Sequence, residues 1–292
     1  MVFHPPVAVV AKAGDAGKYK VGLPTWNLIV RGFMAGAYIA MGGALATVCS
    51  TGIMASDATL RYGTASAGFA QLILGAVFPV GLIIIVLTGA ELFTGDAMLA
   101  PMAAFIHKVS WAQVINLWVW VYIGNLIGSI IFAYIMAYGP FVSFDSTGAA
   151  TVTAFGTRAI AIASAKVSYV GMLGMWSAFL KAIACNWLVN LAILLGICAD
   201  DLIGKFFGIW FPIMAFVSSG FEHSVANMYF IPAGILTQGF ITDPTKINAG
   251  LTWVTMWTNN LIVVTIGNIV GGLFFVGVIY WVAFRKEIAA LK

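Results

Sequence analysis

Hydrophobic positions in this chain gather into long blocks, without the alternation or narrow stripes of a soluble domain. The clear apolar blocks run over about 26–50, 65–90, 97–106, 110–138, 168–199, 202–220, 224–240 and 254–284. A helix that crosses a bilayer needs about 20 predominantly apolar residues. The blocks at 97–106 and 224–240 are too short or too interrupted to be ordinary spans, and each follows a longer block across a polar cluster. The economical reading is six spanning helices, the second and the fifth each broken in the middle.

Hydropathy alone permits seven or eight spans, and an internal repeat argues against that count. Phe78-Pro79 precedes Gly89-Ala90-Glu91, and Phe211-Pro212 precedes Gly220-Phe221-Glu222. After the glutamates come Asp96-Ala97-Met98 in one half and Ala226-Asn227-Met228 in the other. Farther on, Ile123-Gly124-Asn125-Leu126-Ile127-Gly128 is answered by Ile266-Gly267-Asn268-Ile269-Val270-Gly271. The offsets are 131 for the Gly-x-Glu motifs and 143 for the Gly-Asn motifs, close enough for duplicated three-helix units. Three spans is an odd number, so the two copies lie upside down relative to each other, with their broken helices meeting near the midplane at a permeation site. The predicted fold class is therefore an all-α integral membrane protein of six transmembrane helices in two inverted repeats. The predicted organisation is a cytoplasmic segment over 1–25, one transmembrane domain over 26–286, and a cytoplasmic end over 287–292. Repeat one covers about 26–138 and repeat two about 167–284.

Composition agrees. Hydrophobic residues make up 62% and charged residues 8% of the 292, against roughly 25% charged in soluble domains. The 32 glycines fit closely packed membrane helices. A net charge of +4 without a basic run sets nucleic-acid binding aside. The three cysteines, Cys49, Cys185 and Cys198, lie in apolar stretches without a CxxC pair, so neither a disulfide framework nor a metal site is expected. The first 25 residues lack the apolar core of a signal peptide.

Charge placement supports six spans with both ends inside. Lys12, Lys18, Lys20, Arg31, Lys108, Lys205, Arg285, Lys286 and Lys292 then lie on the cytoplasmic side, nine against four outside, namely Arg61, Arg158, Lys166 and Lys246. That is the positive-inside bias.

Two polar clusters interrupt apolar helices: Thr88 to Asp96 and Ser218 to Asn227. A charged residue at membrane depth costs ~2.5–3.5 kcal/mol or more, so it is expected to face protein or a water-filled path. Unwound backbone at that depth must be buried or line a cavity, and its freed amides favour an anion. His223 is the one histidine of three inside the apolar region. It either satisfies buried carbonyls or, as the membrane setting favours, donates to an anion and exchanges a proton. Glu91 and Glu222 are read as hydrogen-bonding the freed amides; the alternative is a pair of pore carboxylates, which would favour cations and define a cation or proton-relay protein. Asn186 and Asn227 offer uncharged donors or interhelical hydrogen bonds. Lys166 and Arg158 are solvated loop charges or attract anions to the outer mouth, and Lys181 either attracts anions or snorkels to the interface. No metal-ligand cluster, nucleophile–base pair or phosphate loop points to an enzyme, and no cofactor is implied.

These residues resemble the formate/nitrite transporter family. The carriers are Gly89-Ala90-Glu91-Leu92-Phe93-Thr94, Cys185-Asn186-Trp187-Leu188-Val189, Gly220-Phe221-Glu222-His223-Ser224-Val225-Ala226-Asn227-Met228 and Gly267-Asn268-Ile269-Val270-Gly271-Gly272. The resemblance implies an aquaporin-like protomer, a homopentamer in the inner (plasma) membrane, one pore per protomer and a lipid-filled central gap. It implies a small monovalent anion as substrate, with formate first, then nitrite and hydrosulfide, and passage with a proton. By the same resemblance Phe78, Leu82 and Phe216 form one apolar constriction, and Leu92 and Val189 a second. Thr94 bonds His223, Asn186 is the pore asparagine, Glu222 and Asn227 hold the histidine loop, and Asn268 is the asparagine of helix six. Thr94 and His223 are expected to meet at the midplane, the hydroxyl fixing one ring nitrogen and leaving the other for the anion. One departure stands out. The family's outer-mouth lysine lies sixteen residues before the pore asparagine; here Val170 holds that place, Lys166 stands twenty residues before Asn186, and Lys181 is the other candidate attractor.

Overall fold

A computed structural model describes residues 3–53 and 67–291. Arg61 and Lys292, counted among the charges above, and the start of the 65–90 block lie outside the described residues. The described residues are mostly helical, with one small hairpin.

Helix α1 (Pro6–Val21) is followed after a short turn by α2 (Thr25–Ser50). Next come α3 (Ala67–Val77) and α4 (Val80–Thr88), separated at Phe78-Pro79, then α5 (Phe93–Phe105) and α6 (Trp111–Tyr138). A two-stranded antiparallel hairpin, β1 (Val142–Phe144) with β2 (Ala150–Val152), pairs Val142 with Val152 and leads into α7 (Ala154–Lys166). Helices α8 (Gly171–Cys198), α9 (Leu202–Ser218) and α10 (Ser224–Gln238) follow. The last helix runs over Trp253–Ala290 and contains π-helical stretches at Trp257–Leu261 and Leu273–Val278.

Among the described residues, five helices are long and apolar enough to cross a membrane: Thr25–Ser50, Gly68–Thr88, Trp111–Tyr138, Gly171–Cys198 and Trp253–Ala290. Leu202–Ser218 is apolar but shorter. The boundaries have local causes. Ser110 and Gln113 form a capping box at the start of α6, and Asp201 accepts from the Gly204 amide at 2.7 Å at the start of α9. Small residues let the long helices touch. A Cβ on Gly36 would meet the Asn125 carbonyl oxygen at 2.1 Å, so α2 and α6 meet backbone to backbone.

Two segments differ from the sequence expectation. The N-terminal stretch read as a plain segment is a helix, packed along α5 so closely that a Cβ on Gly17 would overlap the Leu99 carbonyl. The stretch holding Arg158 and Lys166, read as a loop, contains the hairpin and α7. Both α1 and α7 are too mixed in polarity to stand out in a hydropathy scan; each is helical because it packs on a neighbour, α1 on α5 and α7 on α10.

Candidate permeation site

Both interruptions are built alike. Helix α4 ends at Gly89, which takes a left-handed conformation (φ 75°) and donates its amide to the Ile85 carbonyl. Helix α9 gives way to Gly220, also left-handed (φ 69°). A Cβ is strained in that conformation and glycine is not. After each glycine the chain runs non-helically for a few residues and re-enters a helix at Phe93 or Ser224.

The freed backbone groups have named partners. The Phe93 amide donates to Asn125 Oδ1 at 3.0 Å, and Asn125 Nδ2 donates to the carbonyls of Glu91 (2.9 Å) and Gly32 (2.8 Å). The Ser224 amide donates to Asn268 Oδ1 at 2.8 Å, and Asn268 Nδ2 donates to the carbonyls of Glu222 (2.9 Å) and Ala182 (2.8 Å). The glutamate amides also match: Glu91 N–H donates to the Arg31 carbonyl and Glu222 N–H to the Lys181 carbonyl. The expectation that the glutamate side chains take the freed amides is therefore corrected. Uncharged asparagines do so, while each glutamate reaches the other way to a cation.

Glu91 is ion-paired with Lys20 and lies 3.6 Å from Arg31 Nη1, and Lys20 is 3.1 Å from Asp96 Oδ1. Burial opposes the charge on Lys20, but the fields of Asp96 and then Glu91, with their hydrogen bonds, hold its ammonium above the ordinary lysine range. Glu222 Oε1 accepts from Lys166 Nζ (2.7 Å) and the Tyr169 hydroxyl (2.9 Å), and its Oε2 accepts from Asn227 Nδ2 (2.7 Å) and Asn260 Nδ2 (3.3 Å). Burial, then the Glu222 charge, pushes the Tyr169 hydroxyl above its ordinary range. Lys181 Nζ donates to that same hydroxyl at 3.1 Å and lies over the Tyr169 ring. Val170, at the position where the family has a lysine, is exposed.

Thr94 and His223 do come together: Oγ1 and Nε2 are 2.8 Å apart, and both residues are buried. The other ring nitrogen is not left unpaired. His223 is the N-cap of α10, and its Nδ1 accepts from the Ala226 amide at 2.9 Å. The neutral ring therefore carries its proton on Nε2 and donates it to the Thr94 hydroxyl oxygen. The threonine hydrogen is then available to another acceptor. Asn186 donates through Nδ2 to the carbonyls of Thr94 (3.0 Å) and Asn268, and Asn190 Nδ2 donates to the Thr94 carbonyl at 3.1 Å. Both amides fasten the start of α5, and Asn186 is not among the residues lining the cavities described next.

His223 lines two cavities, and a third lies beyond Leu92. One, of about 270 Å³ at the α7 end, is lined by Arg158, Lys166, Glu222, Asn227, Phe78, Phe216 and His223 among others. A second, of about 220 Å³ at the α1 end, includes Lys20, Arg31, Glu91, Asp96, Lys205 and Leu92. Between them is a chamber of about 10 Å³ lined by Ile39, Phe78, Leu82, Leu92, Val189, Ile213, Phe216 and His223, at the lower limit for a single water. Phe78, Phe216 and His223 line both this chamber and the α7-end cavity, and Leu92 lines both it and the α1-end cavity. Phe216 stacks on the His223 ring at 5.7 Å and meets Phe78 edge-on at 5.9 Å.

Lys20, Asn190, Asn260 and Tyr169 were missed by sequence reasoning. Lys20 lies in a helix whose docking the sequence does not reveal. Asn260 is on a π-helical stretch whose extra residue per turn shifts side chains off the α-helical face. Asn190, four residues after Asn186 and thus on the same helix face, was the one with a usable signal.

Apolar helices, paired interruptions and cavities narrowing at a buried polar pair define a multi-pass membrane protein of the channel and transporter class. The chain belongs to the formate/nitrite transporter family, which it matches over residues 7–282. That is a transport family and not an enzyme family. The chain is 42% identical to a probable formate transporter of Methanothermobacter thermautotrophicus over 290 residues, covering 98% of each. It is 35% identical to a formate channel of Bacillus thuringiensis over 292 residues, covering 100% of each. A solved pentameric formate channel with formate bound superposes with a TM-score of 0.71 at 33% identity, covering 90% of this chain and 98% of that one.

Proposed function

We propose that the protein is a formate channel in which a small monovalent acid anion crosses each protomer by way of the three cavities. The carrying observation is the His223–Thr94 pair beside a chamber of about 10 Å³ between two larger cavities. In this reading the chain folds as six spans in two inverted repeats with the second and fifth broken, assembles as a homopentamer with lipid in its central gap, and lies in the inner membrane with both termini cytoplasmic. The matched hydrogen bonds of Asn125 and Asn268 support the repeat, and so do the matched Lys20–Glu91 and Lys166–Glu222 pairs, which make α1 and α7 equivalent opening helices. The repeat then begins at α1.

Cations gather the anion at each end: Lys166 at the α7 end, and Lys20 with Arg31 at the α1 end, while Lys181 lines neither cavity and holds the Tyr169 hydroxyl. The N-termini of α5 and α10 begin at the narrow region and add positive dipole ends. Phe78, Leu82 and Phe216 form one constriction and Leu92 with Val189 the other, and a bare charge between them would lose its hydration. Protonation to the neutral acid removes most of that penalty. His223 Nε2–H and the Thr94 hydroxyl are the donors at this point, so the anion competes with Thr94 for one ring nitrogen. Asn186, Asn227 and Asn268 act by holding the two loops. The pairing of both glutamates with lysines argues against a cation or proton-relay pathway, because neither carboxylate is left uncompensated.

Liposome uptake of formate, nitrite and hydrosulfide, compared at external pH from about 5 to 8, tests the reading. Formate uptake that rises as external pH falls is the expected result. Uptake independent of pH and of a proton gradient sinks passage with a proton, and a clear preference for cations sinks the anion pathway.

A further inference from the structure

The two halves differ in charge at one equivalent position. Asp96 follows Glu91 by five residues, and Asn227 follows Glu222 by five, the same offset of 131 that relates the glutamates. Asn227 donates to its glutamate, whereas Asp96 places Oδ1 at 3.1 Å from Lys20 and leaves Oδ2 without a hydrogen-bond partner, fully buried at the edge of the α1-end cavity. A buried carboxylate oxygen with no donor is costly, and packing of α5 does not require it, since an asparagine fills the matching site.

Charge around the cavity gives it a use. Facing the α1-end cavity are Lys20 from α1, Arg31 from α2, Glu91 from the interruption, Asp96 from α5 and Lys205 from α9. That is three cations against two carboxylates. Among the described residues, the charged groups lining the α7-end cavity are Arg158, Lys166 and Glu222, two cations against one carboxylate. Asp96 thus brings both ends to the same single net positive charge. An ion pathway must attract its ion enough to admit it and weakly enough to release it. Without Asp96 the α1 end would carry two net charges and hold an anion more tightly than the other end.

Resting on the anion-channel reading above, we propose that Asp96 sets how tightly the α1-end cavity holds the transported anion, offsetting the third cation so that neither end traps it.

The test is Asp96→Asn, which installs the residue its repeat partner carries. Formate flux is measured in vesicles sorted for one orientation by a tag on the C-terminus. The half-saturating formate concentration for entry from the α1 end should fall about six-fold, the effect of one unit charge at ~8 Å across an effective dielectric of ~40. The value for entry from the α7 end should stay unchanged. Adding Lys205→Gln should restore the α1-end value, a rescue that a purely structural role for Asp96 would not give. If Asp96→Asn fails to assemble, Lys205→Gln alone should raise the α1-end value and leave the α7-end value alone. Equal shifts at both ends, no shift, or absence of the rescue overturns the inference while leaving the channel reading intact. Wild-type protein that moves formate from neither end overturns the channel reading and this inference with it.

Discussion

Asn125 and Asn268, 143 residues apart, make the same three hydrogen bonds in the two halves of the chain. Each accepts the first amide of a short helix, and each donates to a glutamate carbonyl and to a carbonyl of a neighbouring long helix. One side chain of this shape replaces the hydrogen bonds that a continuous helix would have made, without adding charge at membrane depth. Asn125→Leu or Asn268→Leu leaves a buried amide and two carbonyls unpaired, at ~1–3 kcal/mol for each group. The expected outcome is a protein that loses its native elution position at a lower temperature in detergent, followed by size-exclusion chromatography after heating. Unchanged thermal stability of both variants would remove the anchoring role.

His223 and Thr94 should behave as a coupled pair. His223→Phe removes the Nε2 donor and the cap on the Ala226 amide, and formate flux is expected to fall to near background in an intact oligomer. Thr94→Val is expected to weaken flux less, and to add little to the histidine change, because residues in contact are not additive. A double-mutant cycle on flux in liposomes measures the coupling. Near-normal, pH-dependent flux in assembled His223→Phe protein would show that the central histidine mechanism is wrong.

Removing Glu222 should damage assembly more than selectivity. Glu222→Ala removes the carboxylate that Lys166, the Tyr169 hydroxyl, Asn227 and Asn260 share, and leaves the Lys166 ammonium without its ion-pair partner. Losing one partner of a buried pair typically costs about 3–5 kcal/mol. The yield of intact oligomer should fall, and anion over cation preference in the surviving fraction should stay as in the wild type. Well-assembled protein with altered ion preference would instead place the carboxylate in the permeation path.

Docking of α1 should resist alkaline pH. The Lys20 ammonium is held above its ordinary value of 10.5 in the folded chain. A raised value contributes stability that is fully present below the unfolded value and is lost only as pH rises through the folded one. Hydrogen-exchange protection of α1 relative to α6 should therefore hold from pH 7 to about 10.4 and decline above it, whereas Lys20→Met should reduce it throughout. Loss of protection in the wild type well below that pH would contradict the lysine's role.

Much of this molecule can be read from residue order alone. Apolar blocks near twenty residues mark the long helices because lipid leaves a backbone no hydrogen-bond partner but itself. Gly89 and Gly220, each followed by a glutamate, mark the interruptions, since glycine tolerates the left-handed turn that ends a helix there. Repeated order brought Thr94 and His223 together on paper at a separation of 129 residues. Tertiary structure decided the chemistry of that pair. His223 happens to cap α10, so its Nδ1 is committed to the Ala226 amide and a single ring nitrogen faces Thr94; no pattern of residue types encodes that orientation. Which groups neutralise Glu91 was equally illegible, because Lys20 reaches it only once α1 lies along α5, a packing set by shape at Gly17 and Leu99. Composition and periodicity report what each segment does with its solvent. Pairing between segments depends on distances that exist only after the helices have packed.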